Sequence, residues 1–182
     1  VIAALIILRV QGSSANMPKL TMAQRWYLLA AAVVLLDQAS KAVITAIFSR
    51  GDVLPVTSFF NLVLTYNRGA AFSFLAGAGG WQRWALSAIA IVLSVVLVIW
   101  IARAAQRWVE ALPLALILGG ALGNLVDRLR LGGVVDFLDL HWGGYHWPAF
   151  NVADMAISAG AIIILLAVIF DKESRKRRGG RS

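Results

Sequence analysis

Long apolar runs and short polar clusters alternate along the chain, and the runs have the length needed to cross a bilayer. The stretches 26–48, 84–102, 111–126 and 152–170 are almost wholly apolar, and about 20 such residues in a helix match the hydrocarbon thickness. Four membrane-spanning helices are expected. The apolar run 1–10 is too short to span and is followed by the polar stretch 11–16, before Met17-Pro18-Lys19 reads as a natural start. Residues 1–16 are therefore expected to be a non-native or disordered extension, with 17–170 as the membrane domain and 171–182 as a basic tail. Between the first two spans the pattern changes period. Phe60, Leu62, Leu64 and Tyr66 alternate with Asn61, Val63 and Thr65, which predicts a strand. Asn67-Arg68-Gly69 reads as a turn, 70–75 as a returning strand and 76–80 as a glycine-rich link. The expected fold class is an all-α polytopic membrane protein with a small extramembrane β element.

Composition agrees with the pattern: 60% of the 182 residues are hydrophobic and 14% charged, and the mean hydropathy is +0.77, far from the soluble average. There is no cysteine, which excludes disulfides, thiolate chemistry and Cys-based zinc sites. His141 and His146 alone do not make a metal site, so neither metal nor cofactor is expected. The net charge of +8 would suit nucleic acid, but much of it sits in the tail, where topology and contact with anionic lipid account for it. No nucleic-acid partner is expected, and no feature signals oligomerisation, so a monomer is. Arg9, Lys19, Arg25, Arg103, Arg107 and the basic tail fall on one side of a four-span chain, against Arg50, Arg68, Arg83 and Arg130 on the other. Both termini are thus expected in the cytoplasm, with the longer loops outside. Tryptophans at span ends suit the headgroup region, and Gly119 and Gly120 invite close helix packing.

Polar groups gather at the span ends on the side of the long loops. An ionisable residue at membrane depth costs roughly 2.5–3.5 kcal/mol on the insertion scale, so each is a functional candidate. Asp37 and Lys41 are four apart in the first span, share a helix face, and either neutralise each other or point at an outer polar site. Asp127 and Arg128 close the third span, as an interfacial charge pair would, with Asn124 one turn earlier on the same face. Gly132-Gly133 breaks that helix, and Asp136 then lies in the middle of the apolar run 134–138. Asp52 and Asp139 look like ordinary loop acids. Asn151 suits the N-cap of the fourth span, with Asp154 in its first turn. Two carboxylates brought together can share one proton, the ionised member activating water and the protonated member polarising a carbonyl. Spacing alone leaves the partner of Asp154 open between Asp127 and Asp136.

Five blocks bear on that choice: Asp37-Gln38-Ala39-Ser40-Lys41; Asn67-Arg68-Gly69-Ala70-Ala71-Phe72-Ser73; Gly123-Asn124-Leu125-Val126-Asp127-Arg128; Val134-Val135-Asp136-Phe137; and Phe150-Asn151-Val152-Ala153-Asp154. In this order on a four-span chain they resemble the lipoprotein signal peptidase (signal peptidase II) family over essentially 17–170. The resemblance implies an aspartic endopeptidase of the bacterial inner membrane that cuts prolipoproteins just before a diacylglyceryl-modified cysteine. It implies a catalytic dyad at Asp136 and Asp154, near the periplasmic face. Asp37, Lys41, Asn67, Gly69, Asn124, Asp127, Arg128 and Asn151 become supporting or substrate-contacting residues. The rival classes are a small transporter or channel and a membrane scaffold. A conducting path needs polar residues through the whole depth, whereas the second span has only Ser87 and Ser94 in its interior. A scaffold would tolerate loss of the two acids.

Overall fold

The computed structural model describes residues 20–69 and 80–179, with side chains as far as residue 170. The expected extension at 1–16, the returning strand at 70–75, nearly all of the glycine link and the side chains of the basic tail lie outside the described residues.

Helix α1, Met22–Ile47, starts at a reciprocal cap: the Thr21 hydroxyl accepts from the Gln24 amide at 3.2 Å, and the Gln24 side chain accepts from the Thr21 amide at 2.8 Å. Helices α2, Trp81–Ala104, and α3, Trp108–Leu131, follow, and α4 runs from Val152 to Gly179 with its apolar part at Val152–Phe170. All four are long and apolar enough to cross a membrane. They turn large apolar side chains outward, among them Leu35, Leu36, Val92, Leu165 and Phe170, as suits a surface solvated by lipid.

The third helix is longer than its apolar run suggests. It continues past Asp127 and Arg128 to Leu131 and ends at Gly132, whose φ of +78° is left-handed and whose amide donates to Arg128 O at 3.1 Å. A helix need not stop at an acid whose charge is met by a partner, and Asp127 has one.

The strands are β1, Val53–Thr57, β2, Phe60–Asn67, β3, Val134–Trp142, and β4, Tyr145–His146, in the antiparallel order β1-β2-β3-β4. The alternating run 60–66 is thus a strand, but its partners among the described residues are β1 and β3. The third and fourth strands meet across Gly143-Gly144, with φ of +56° and +86°, the geometry of a tight two-residue hairpin. Because β2 lies between α1 and α2 while β3 lies between α3 and α4, their pairing brings both long connections to one end of the bundle.

Helix α3 packs against all three other helices. Ala30, Leu97, Ile101, Ala104, Leu114, Ala115 and Leu118 form one apolar core between α1, α2 and α3. A second core of Ile44, Leu64, Val135 and Phe137 seats the sheet on the end of α1. Close approach depends on missing side chains: a Cβ on Gly119 would meet Ala30 O at 2.7 Å, and one on Gly120 would collide with Ala153 O. At the same end Arg83, which opens α2, donates to Leu129 O at 2.6 Å and lies 4.7 Å from the Trp84 ring centre.

Candidate active site

Two groups of acids, buried except for the half-buried Asp154, lie where the sheet meets the helix ends. In the first, Lys41 Nζ stands 2.8 Å from Asp37 Oδ2 and 2.8 Å from Asp127 Oδ2. The one-turn pairing expected for Asp37 and Lys41 is present, and Asp127 joins it from α3. The amide of Gln38 donates to Asp37 Oδ2 at 3.1 Å, to Asp127 Oδ1 at 2.9 Å and to Gly123 O at 3.2 Å. Backbone donors complete the shell: Ala153 N reaches Asp37 Oδ1 at 2.9 Å and Val135 N reaches Asp127 Oδ2 at 3.1 Å. The group thereby fastens α1, α3, β3 and the first turn of α4. Asp127 is not the interfacial partner of Arg128 that its position suggests. It is 3% exposed and faces inward to an ammonium, because the helix carrying it runs on for another turn.

The second group holds Asp136 and Asp154. Register places Asp136 of β3 opposite Thr65 of β2. Asn151, immediately before α4, donates from Nδ2 to Asp136 Oδ1 at 2.6 Å, to Asn124 Oδ1 at 3.2 Å and to Val135 O at 3.2 Å. Its own Oδ1 accepts from the Asp154 amide at 2.9 Å, and its amide N–H reaches back to Asp154 Oδ2 at 3.3 Å. Asn151 is therefore the N-cap of α4, and Asp154 answers it from the first turn. Asn124 donates from Nδ2 to Asp154 Oδ1 at 2.8 Å and accepts from Lys41 Nζ at 3.0 Å. Two asparagines thus bridge the two carboxylates.

Among the described residues neither Asp136 nor Asp154 is within ion-pair distance of a Lys or Arg, although Arg128 lies within electrostatic reach of both. Burial, and then the negative charge of Asp154, push the Asp136 carboxyl up to about 7. Hydrogen bonds from Asn151 and Asn67 and the charge of Lys41 pull the other way. A carboxyl so placed keeps a proton near neutral pH. Two close acids with a shared proton and amide donors can serve as base and acid toward a water and a carbonyl.

Asn67 reaches the site from the end of β2, bonding Asp136 and accepting from Gly69 N at 2.9 Å. Arg128 donates to Asn124 O and Gly69 O, both at 3.4 Å. All ten candidate residues therefore belong to one connected network at one end of the bundle. Gln38 is the member that sequence reasoning passed over, and its signal was a lone amide beside Asp37 in an apolar span. Asp139, which looked like an ordinary loop acid, is 6% exposed on β3 and binds Asn61 at 2.7 Å and His146 at 2.9 Å. It lies along the sheet, outside the network. Asp52 is the exposed loop acid it resembled, accepting from Ser49 N at 2.7 Å. No group of three or more His, Cys, Asp or Glu among the described residues is placed to hold a metal ion. A groove of about 820 Å³ between Phe59, Leu140, Trp142, Tyr145 and Trp147 is aromatic and carries no carboxylate, so the acid chemistry lies elsewhere.

Comparison with known proteins agrees with this geometry. The signal peptidase (SPase) II family matches residues 29–170. A lipoprotein signal peptidase of Paraburkholderia phytofirmans strain PsJN is 51% identical over 156 residues, 86% of this chain and 88% of its own length. One of Cellvibrio japonicus is 55% identical over 141 residues, 77% of this chain and 83% of its own. A bacterial membrane enzyme solved by the in meso method at 2.3 Å resolution superposes with a TM-score of 0.74 at 34% identity, over 82% of this chain and 90% of that one. A second, at 1.9 Å, gives 0.69 at 34% identity, over 79% and 92%. With four apolar spans, a matching fold and half of the aligned residues identical in such relatives, the chain belongs to the signal peptidase II family, as a membrane-embedded aspartic peptidase that removes signal peptides from lipoproteins.

Proposed function

We propose that Asp136 and Asp154 are the catalytic dyad of this peptidase, and that it cuts prolipoproteins on the N-terminal side of a diacylglyceryl-modified cysteine. The observation that carries the reading is the Asn151–Asn124 bridge, which links the two carboxylates through neutral amides, a setting in which they can share one proton. The ionised member takes a proton from water as the water oxygen attacks the scissile carbonyl carbon. The protonated member gives its hydrogen to the carbonyl oxygen. Collapse of the tetrahedral intermediate breaks the C–N bond, sends a proton to the leaving amine and returns the pair to one shared proton. The titrations belong to the pair and not to either residue alone.

The remaining assignments follow from this placement. Asp37 and Asp127 support the site through Lys41, and Asn67, Gly69, Asn124, Arg128 and Asn151 shape it and meet the substrate. Residues 17–170 form the peptidase unit, acting as a monomer in the bacterial inner membrane. Its termini are cytoplasmic and its site lies near the periplasmic face, in keeping with the bias of Lys and Arg. The lipidated substrate arrives laterally between spans, its acyl chains held in the bilayer by about 0.8 kcal/mol per buried CH₂. The test is cleavage of a diacylglyceryl-modified prolipoprotein by purified protein with chelator present, beside folded Asp136→Asn and Asp154→Asn variants. Cleavage by wild type alone is expected, and normal cutting by either variant would remove that residue from the dyad.

A further inference from the structure

Lys41 touches neither Asp136 nor Asp154, yet it orients the Asn124 amide that touches Asp154 and that also bonds Asn151. An ammonium has three donors and no acceptor. With Nζ 3.0 Å from the Asn124 side chain, the atom facing it must be the carbonyl oxygen, which turns the Asn124 NH₂ toward Asp154 Oδ1 at 2.8 Å. The same oxygen accepts from Asn151 Nδ2 at 3.2 Å, so the Asn151 NH₂ is the group that faces Asp136 Oδ1 and Val135 O. Its carbonyl is left to cap the Asp154 amide. Reversing Asn124 would set its NH₂ against an ammonium and another NH₂, and its oxygen against a carboxylate. Reversing Asn151 would set its oxygen against three acceptors. Lys41 thus fixes the Asn124 end of the bridge, while Val135 O and the Asp154 amide fix the Asn151 end in the matching sense.

We propose that Lys41 is a positioning residue whose ammonium locks the Asn124 amide with its N–H group toward Asp154 and, through the shared Asn124 oxygen, steadies the Asn151 amide against Asp136. The proposal rests on the reading of Asp136 and Asp154 as the catalytic pair. Lys41 itself is held by Asp37 and Asp127 at 2.8 Å each and is 3% exposed, so it does not swing into the site. The charged groups facing this unit are Asp37 on α1, Asp127 and Arg128 on α3, Asp136 on β3 and Asp154 on α4. Removing the ammonium leaves acids in excess around the dyad and frees the Asn124 amide to turn, which loosens its bond to Asn151. A displaced donor of this kind costs about 10²-fold in rate.

The experiment compares the full chain as wild type, Asp136→Asn, Lys41→Met and Lys41→Arg in one detergent–lipid mixture. Folded fraction is read by tryptophan fluorescence, and kcat, KM and the pH profile of kcat/KM are read on diacylglyceryl-modified prolipoprotein. Lys41→Met is expected to lose about 10²-fold in kcat per folded molecule with little change in KM, and to shift its pH profile toward higher pH. Lys41→Arg also only donates and stays charged, so it should restore the profile position and most of kcat. A purely structural lysine would lower the folded fraction and leave the profile where it was. If Lys41→Met does not fold, Lys41→Met with Asp127→Asn removes one of the stranded carboxylates and carries the same expectation. Wild-type kcat and an unmoved profile in the folded Met variant, or an Arg variant as impaired as Met, would overturn the proposal. A wild type that does not cleave, or an active Asp136→Asn, would instead overturn the dyad reading beneath it.

Discussion

The Asp37–Lys41–Asp127 group and the Asp136–Asp154 pair are neighbours that stabilise buried and half-buried carboxylates by opposite means. In the first, each acid meets an ammonium at 2.8 Å and further donors from Gln38 and the backbone. In the second, each acid meets the amide of an asparagine. A full counter-ion holds charge in place and ties helices together, whereas neutral donors leave a proton free to be shared and passed. The contrast is the ground for proposing Asp136 rather than Asp127 as the partner of Asp154, a choice that spacing alone leaves open.

The sharpest break in the comparison is chemical. Asp136→Asn and Asp154→Asn should each lower turnover by on the order of 10²–10⁴-fold, the range of general acid–base catalysis, with the unfolding temperature at about pH 4 nearly unchanged. Asp127→Ala should do the reverse. It leaves Lys41 with Asp37 as its carboxylate partner and takes the acceptor from the buried Val135 amide, and is expected to cost roughly 1–3 kcal/mol of stability, while the molecules still folded retain far more activity than Asp136→Asn. Denaturation followed by tryptophan fluorescence, beside turnover per folded molecule, checks both.

A smaller effect concerns pH. Asp136, raised to about 7 by burial and by Asp154, holds its proton in the folded state through a range where the unfolded chain has released it. Its contribution to stability is therefore full below about pH 4 and lost as pH rises through about 7. Asp136→Asn should abolish that downward slope, which unfolding midpoints between pH 4 and 8 would reveal. Asp139 runs the other way: its burial is outweighed by hydrogen bonds from His146 and Asn61, which hold its carboxyl below the usual range. Its contribution is present above the unfolded pKa and fades in acid. The smallest effect belongs to this outlying pair. His146 is more than half exposed, so His146→Phe should cost no more than about 1 kcal/mol and leave kcat unchanged; a large loss of turnover would tie the hairpin to the chemistry.

Much of this was legible in the chain because its signals are local. The spans follow from apolar length, the end of α3 from Gly132-Gly133, the strand at 60–67 from its period of two, and the cap on α4 from Asn151 placed three residues before Asp154. Strand β3 was not legible as a strand. Its apolar face is set by packing on Ile44 and Leu64, residues far away in sequence, and its pairing with β2 crosses two helices. Asp139 was misjudged for the same reason, since its burial comes from Asn61 on β2 and His146 on β4.

What the sequence determined by itself was the number of spans, the residue types at their ends and, through five ordered blocks, the family. Period, length and spacing act within one element or its immediate neighbours, so a single chain carries them openly. Only the tertiary structure decided which carboxylate faces which donor. Asp127 turned to Lys41 because α3 runs on beyond it, and Asp136 reached Asn151 because β2 and β3 pair across the bundle end. Those are contacts between elements distant in sequence, set by helix approach at Gly119 and Gly120 and by sheet register, and no local pattern encodes them.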